Sequence, residues 1–227
     1  WLASRRLPPR ARLRFVAETL RQAPSWLAQD RKDRSDFLRL FYRRYEGAPV
    51  DQIDEDATEM LSDLIMTRSF PAALRRVREH RALGHRTVLI TGALDFVVRP
   101  LAPLFDDIVA AELEVDAGRY RGELRAVPPT GESRAQALFD YAARHDLDLD
   151  QAVAYADSTS DLPMLEVVGF PVAVNPETRL AALARKRGWL VEHWSRASGA
   201  PGHLLPLAPR RHTTGGLANP LVPGRTA

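Results

Sequence analysis

The stretch Ala152-Val-Ala-Tyr-Ala-Asp157-Ser-Thr-Ser-Asp161-Leu-Pro-Met164 decides how the rest of this chain reads. Ala152 to Ala156 predicts a strand, and Leu162 to Val168 a short helix. Between them stand two carboxylates four residues apart, the first closing the strand and the second entering the helix. Oxygen ligands so placed suit a hard divalent cation: Asp157 would ligate Mg2+ directly, and Asp161 would orient a coordinated water. The competing reading is that Asp161 only caps the following helix.

The same unit recurs on either side. Upstream, Arg86-Thr-Val-Leu-Ile-Thr91 predicts a buried strand between helices over 71–83 and 94–104. Ile108 to Val115 is strand-like, and Asp116-Ala-Gly118 turns into a second segment, Tyr120 to Leu124, as in a hairpin. Ser133 to His145 predicts a helix. Downstream follow a strand over 171–174, a helix over 177–187 and a last strand at Trp189-Leu-Val191. Strands separated by helices of this length indicate an α/β fold, a Rossmann-like parallel sheet with helices on both faces.

Ligands of such sheets bind beyond the carboxyl ends of the strands, and two further sites stand there. Thr91-Gly92 follows Val88-Leu-Ile90 and would offer a hydroxyl and an unobstructed backbone N–H to one anionic oxygen. Gly131-Glu-Ser-Arg134 opens the helix before the acidic strand, where the cation would neutralise charge shared by metal, phosphate and carboxylates. Taken singly, Thr91-Gly92 also fits an ordinary turn, and Arg134 a solvated surface residue.

Residues 1–70 carry no strand-like alternation. Leu13, Val16, Ala17 and Leu20 recur at helical spacing, Phe37, Leu38, Leu40, Phe41 and Tyr45 continue it, and a further amphipathic stretch runs over 53–65, so this is a small helical module. From Ser195 the chain is rich in Pro, Gly and Arg and reads as a disordered tail or linker. The expected organisation is a helical module over 1–70, an α/β core over 71–194 and a tail over 195–227.

Composition narrows the function classes. No apolar run approaches the roughly 20 residues of a membrane span. There are no cysteines, which removes disulfides, thiolate metal sites and cysteine nucleophiles and fits a cytoplasmic protein. The net charge is only +3, so the abundant arginines do not by themselves argue for a nucleic-acid partner. Trp1 is followed by no secretory signal pattern, and a chain without an initiator Met is expected to begin inside a longer one.

Thr91, then a basic residue, then Asp157 and Asp161, on successive loops of one sheet, resemble the haloacid dehalogenase-like hydrolases, in the branch (subfamily IB) that contains phosphoserine phosphatase. Leu89-Ile-Thr-Gly-Ala-Leu-Asp-Phe96 looks like that branch's second motif, Gly131-Glu-Ser-Arg134 its third, and Asp157-Ser-Thr-Ser-Asp-Leu-Pro-Met164 its fourth. Val172-Ala-Val-Asn-Pro176 matches the strand and turn that follow, and the likeness covers residues 35–194. It implies a Mg2+-dependent phosphatase acting on a small phosphorylated metabolite through an aspartyl-phosphate, with residues 1–70 as the cap that selects substrate. Thr91, Gly92 and Arg134 would hold the phosphoryl group, and Asp157 and Asp161 the metal.

Three positions depart from the pattern: Arg134 where Lys is usual, Ala156 where Gly precedes the metal aspartate, and Ser160 where Asn is common. The first motif, Asp-x-Asp-x-Thr, supplies the nucleophile. Asp54-Glu-Asp-Ala-Thr58 matches it in letters but lies only 37 residues before Thr91, without an apolar strand in front of it, and reads as a helix start. The nucleophile is therefore expected upstream of Trp1. The alternative is a catalytically silent domain, the partner of another enzyme domain in a longer, lipid-metabolic polypeptide.

Overall fold

The structure, a computed structural model, describes residues 2–32 and 34–197. Most of the tail read from the sequence, residues 198–227, lies outside them.

The first part is helical: α1 (Pro9–Lys32), α2 (Arg34–Tyr42) and α3 (Val50–Arg68), with a 3-10 turn at Arg43–Tyr45. The stripe that gives α1 its period does not face the core. Leu13 and Leu20 are 72% and 69% exposed. The inward side is instead Phe15, Thr19 and Trp26, gathered around Arg44. Its guanidinium lies 4.0 Å over the Phe15 ring and donates to the Phe15 carbonyl and Thr19 Oγ1. A guanidinium stacked on an aromatic face packs where an aliphatic side chain would be expected, so polar letters mark the packed face here.

The second part alternates strand and helix. Its elements are α4 (Pro71–Ala82), β1 (Val88–Leu94), α5 (Asp95–Val98), β2 (Asp107–Ala111), β3 (Leu113–Asp116) and β4 (Arg119–Leu124). After them come α6 (Glu132–His145), β5 (Val153–Ala156), α7 (Leu162–Leu165), β6 (Phe170–Val174), α8 (Thr178–Arg187) and β7 (Leu190–Glu192). Pro71 opens α4, where its missing N–H costs nothing. The helix expected over 94–104 is a four-residue α5 continued as a 3-10 turn over Arg99–Leu104, because Pro100 and Pro103 supply no N–H for an α ladder. The strand expected over 108–115 divides at Glu112, its first half pairing with β1 and its second with β4.

Among the described residues the strands form parallel β1–β2, antiparallel β3–β4 and parallel β5–β6–β7. Thus β1 and β5 are each paired on one edge only, and β1 is half-buried along Val88–Thr91 rather than fully buried. The two parallel pieces share helices on both faces. Ala154 and Ala156 point into a cluster with Leu138, Met164, Leu165, Ala173, Leu180 and Ala184, against which Ile90 also packs. Tyr155 points the other way, as strand alternation requires, and its hydroxyl lies 2.7 Å from His80 Nε2 of α4. Arg76 of α4 reaches Glu192 of β7 at 3.0 Å.

The hairpin carries the helical part. Ala117 and Gly118 both have positive φ, the geometry of a tight two-residue turn. Residues 47–50 lie along β4: Gly47 donates to the Tyr120 carbonyl at 2.8 Å, and Val50 to that of Gly118 at 3.0 Å. Leu38, Tyr42, Tyr45, Ile53 and Ala57 then share one core with Leu94, Phe96, Ala111, Leu113 and Tyr120.

Candidate active site

Thr91 and Gly92 lie in β1 where its register with β2 breaks between Ile90 and Leu94, and the backbone there closes on itself: the Ala93 N–H donates to Thr91 Oγ1 at 3.1 Å. Gly92 is required by close approach. A Cβ at this position would stand 2.5 Å from Thr130 Cγ2 and 3.2 Å from Leu38 Cδ1. Its carbonyl accepts from the Tyr42 hydroxyl of α2 at 2.8 Å.

The loop before α6 stacks on this turn. Thr130 is buried, its Oγ1 lies 2.9 Å from Ser35 Oγ of α2, and its N–H donates to Ser133 Oγ at 2.9 Å. Arg134, in the first turn of α6, anchors Nε on the Pro129 carbonyl at 3.2 Å and directs its guanidinium onto the Asp161 carboxylate. The two side chains are 16% and 8% exposed, so this pair is desolvated. Burial lowers the Arg134 pKa from its ordinary value, the nearby charge of Arg34 adds to that, and Asp157 opposes it. Arg34 and Asp157 therefore each lie within Coulomb reach of Arg134.

Asp157 follows β5 directly and is exposed. Its carbonyl accepts from the Glu177 N–H at 2.9 Å, and the Glu177 carboxylate in turn accepts from Thr159 N at 2.8 Å and from Thr159 Oγ1. These bonds hold the Glu177 carboxyl below the usual carboxylate range. Ser158 Oγ accepts from the Ser160 N–H at 3.1 Å, and Ser160 Oγ donates to Asp161 at 3.3 Å. The loop from Asp157 to Asp161 is thus fixed at both ends, with one carboxylate facing out and the other facing Arg134.

Of the residues the sequence pointed to, Arg134 and Asp161 are in contact and Asp157 is within their electrostatic reach. Gly92, next to Thr91, packs against Thr130 and the Pro129 carbonyl that holds Arg134. Ser35, Tyr42 and Thr130 carried no motif signal, because their roles are contacts between distant segments. Glu177 had one faint signal, its place just after the Asn175-Pro176 turn. Asp54-Glu-Asp-Ala-Thr58 lies inside α3, begun at Val50 and so one turn earlier than a start at Asp54 would place it. Asp54 pairs with Arg99, and Asp56, 2% exposed, pairs with Arg5 and Arg6.

The donor set suits a hard cation in part. Asp157 and Asp161 offer carboxylate oxygens on one loop, but among the described residues no group of three His, Asp or Glu side chains converges. Mg2+ keeps waters and needs few protein carboxylates.

A family model described as haloacid dehalogenase-like hydrolase matches residues 1–166. The inhibition of morphological differentiation protein of Streptomyces azureus is 35% identical over 170 residues, covering 72% of this chain and 61% of that protein. A probable phosphatase of Mycobacterium tuberculosis is 34% identical over 152 residues, covering 66% and 53%. The chain thus spans about half to three-fifths of the length of these relatives. The histidinol-phosphatase of Neisseria meningitidis is 30% identical over 161 residues, covering 68% and 72%. A crystal structure of a protein of unknown function from Bordetella pertussis superposes with a TM-score of 0.70 at 26% identity, covering 78% of this chain and 82% of that one. With motif-bearing loops at the strand ends and a family model matched over most of its length, this chain belongs to the haloacid dehalogenase-like hydrolases.

Proposed function

We propose that this chain is the phosphate- and metal-binding body of a phosphomonoester hydrolase that works through an aspartyl-phosphate on a small phosphorylated metabolite. The observations that support this reading are the Thr91-Gly92 turn packed against the Pro129-Thr130 loop, and the buried Arg134 guanidinium held on that loop, paired with Asp161 and within electrostatic reach of Asp157. Thr91 and the Gly92 N–H hold phosphoryl oxygens. Arg134 stabilises the charge that builds in the transition state, where fixed donors act most strongly because water is excluded. Asp157 and Asp161 would hold Mg2+, which supplies further positive charge against the phosphoryl oxygens. Residues 1–70 act as the cap over residues 71–194.

Two strand edges face the same core without a partner among the described residues, β1 beyond β2 and β5 beyond β6. A single parallel strand pairing with both completes the sheet, and its carboxyl end falls between Thr91 and Asp157. We assign the nucleophilic aspartate to that strand, supplied from outside residues 1–227. The two aspartates of the string that matches the first motif in letters, Asp54 and Asp56, are engaged with Arg99 and with Arg5 and Arg6.

The test is to express the chain with the residues that naturally precede Trp1 and assay an aryl phosphate. Mg2+-dependent hydrolysis is expected, falling at least ~100-fold in Asp157→Asn, with residues 1–227 alone near background. The Arg134–Asp161 pairing favours a second reading, a silent partner domain in a longer polypeptide. Absence of hydrolysis from the longer protein, or activity indifferent to Asp157→Asn, would establish that reading instead.

A further inference from the structure

We propose that Tyr42, on α2 of the helical part, is a positioning residue for the Thr91 hydroxyl. The inference rests on the reading of Thr91 as a phosphate ligand and adds the element that aims it.

The connection is a single peptide plane. Tyr42 is 7% exposed, and its one hydroxyl hydrogen goes to the Gly92 carbonyl at 2.8 Å. That carbonyl shares a rigid plane with the Ala93 N–H, so fixing one end fixes the other. The Ala93 N–H donates to Thr91 Oγ1 at 3.1 Å. A threonine hydroxyl has one hydrogen and two lone pairs. With a lone pair taken by Ala93, the hydrogen is directed away from the backbone, where an anionic oxygen would accept it.

Gly92 explains why an outside tether is needed. No side chain fits there, since a Cβ would lie 2.5 Å from Thr130 Cγ2. A glycine leaves the plane that follows it freer to rotate than any other residue does. Tyr42 removes that freedom from across the interface. Ser35, seven residues earlier on the same helix, makes the companion bond to Thr130 at 2.9 Å. The Ser35 bond secures the loop before α6, whereas the Gly92 plane is held through Tyr42.

The experiment is a double-mutant cycle on the chain expressed with the residues that naturally precede Trp1, with inorganic phosphate and Mg2+ titrated calorimetrically. Thr91→Ala and Tyr42→Phe should each weaken phosphate binding, the second by about fivefold, the scale of one hydrogen bond. The double variant should bind no more weakly than Thr91→Ala, to within about twofold, because the two residues act through one group. Unchanged affinity in Tyr42→Phe, or an equal further loss in the Thr91→Ala background, would overturn the proposal. Ser35→Ala loosens the same helix without touching the Gly92 carbonyl and should stay within about twofold of the parent. A loss matching that of Tyr42→Phe would assign the effect to packing and also overturn it. If Thr91→Ala binds as the parent does, or the parent binds no phosphate, the reading of the site itself fails and this inference goes with it. Should Tyr42→Phe melt early, hydrogen exchange at the Ala93 amide decides: protection equal to the parent's would count against the tether.

Discussion

At Gly92 three demands meet in one residue: no room for a methyl group, a carbonyl that must be satisfied, and an amide neighbour that holds Thr91. Gly92→Ala would drive its Cβ into Thr130 Cγ2, which is buried and held by hydrogen bonds to Ser35 and Ser133. It should destabilise the chain by about 1–3 kcal/mol, the range for overpacking a tight site. Adding Thr130→Ser, which deletes Cγ2 and keeps the hydroxyl, should recover most of that loss in urea titrations. A double variant as unstable as Gly92→Ala alone would mean the strain lies elsewhere, with Leu38 the next atom in line. Arg134 shows a different lesson. A guanidinium at this position forks toward Asp161 and the Pro129 carbonyl together, which an ammonium on a flexible stem does not match.

At the scale of elements, the 3-10 turn after α2, α5 and β4 meet through aromatic rings. Phe96 lies 5.4 Å from Tyr45 and 5.2 Å from Tyr120, centroid to centroid. Burial pushes the Tyr42 and Tyr45 hydroxyls up to about 12, with the neighbouring Tyr45 adding to Tyr42. Tyr120 is raised by burial and then by the charges of Asp54 and Asp95. The sign follows. Unfolded tyrosines release their protons near about pH 10, while the folded ones keep theirs, so the folded state binds more protons between about pH 10 and 12. Stability from these groups is whole below about pH 10 and falls as pH rises toward 12. Denaturant melts across that window should show the decline, shallower in Tyr45→Phe, which keeps the ring against Phe96. An equal slope in that variant would remove Tyr45 from the account.

Across the whole molecule, two cores are joined where Ile90 reaches from β1 into the cluster around Ala154. The sheet between them is the least supported part, because β1 and β5 each show one unpaired edge among the described residues. A strand filling both edges should raise the melting temperature by at least ~5 °C over residues 1–227, through hydrogen bonds and burial gained together. Calorimetry of the two lengths checks this, and equal melting points would argue that the edges are not a strand site. The sequence by itself determined the alternation of strand and helix, and it points to Thr91, Arg134, Asp157 and Asp161 as the chemical positions of the proposed site. Strand and helix periods and the residues at strand ends are local, and such patterns survive without neighbours. It also argues against Asp54-Glu-Asp-Ala-Thr58 as the nucleophile motif, from the missing apolar strand before it. Only the tertiary structure decided which face of α1 packs, since Arg44 replaces the aliphatic partner that periodicity leads one to expect. The same holds for the bonds from Ser35 to Thr130 and from Tyr42 to the Gly92 carbonyl, for Glu177 behind the acidic loop, and for the split of the sheet. Each of these joins residues far apart in the chain, and nothing in the letters of one segment records what another segment will bring against it.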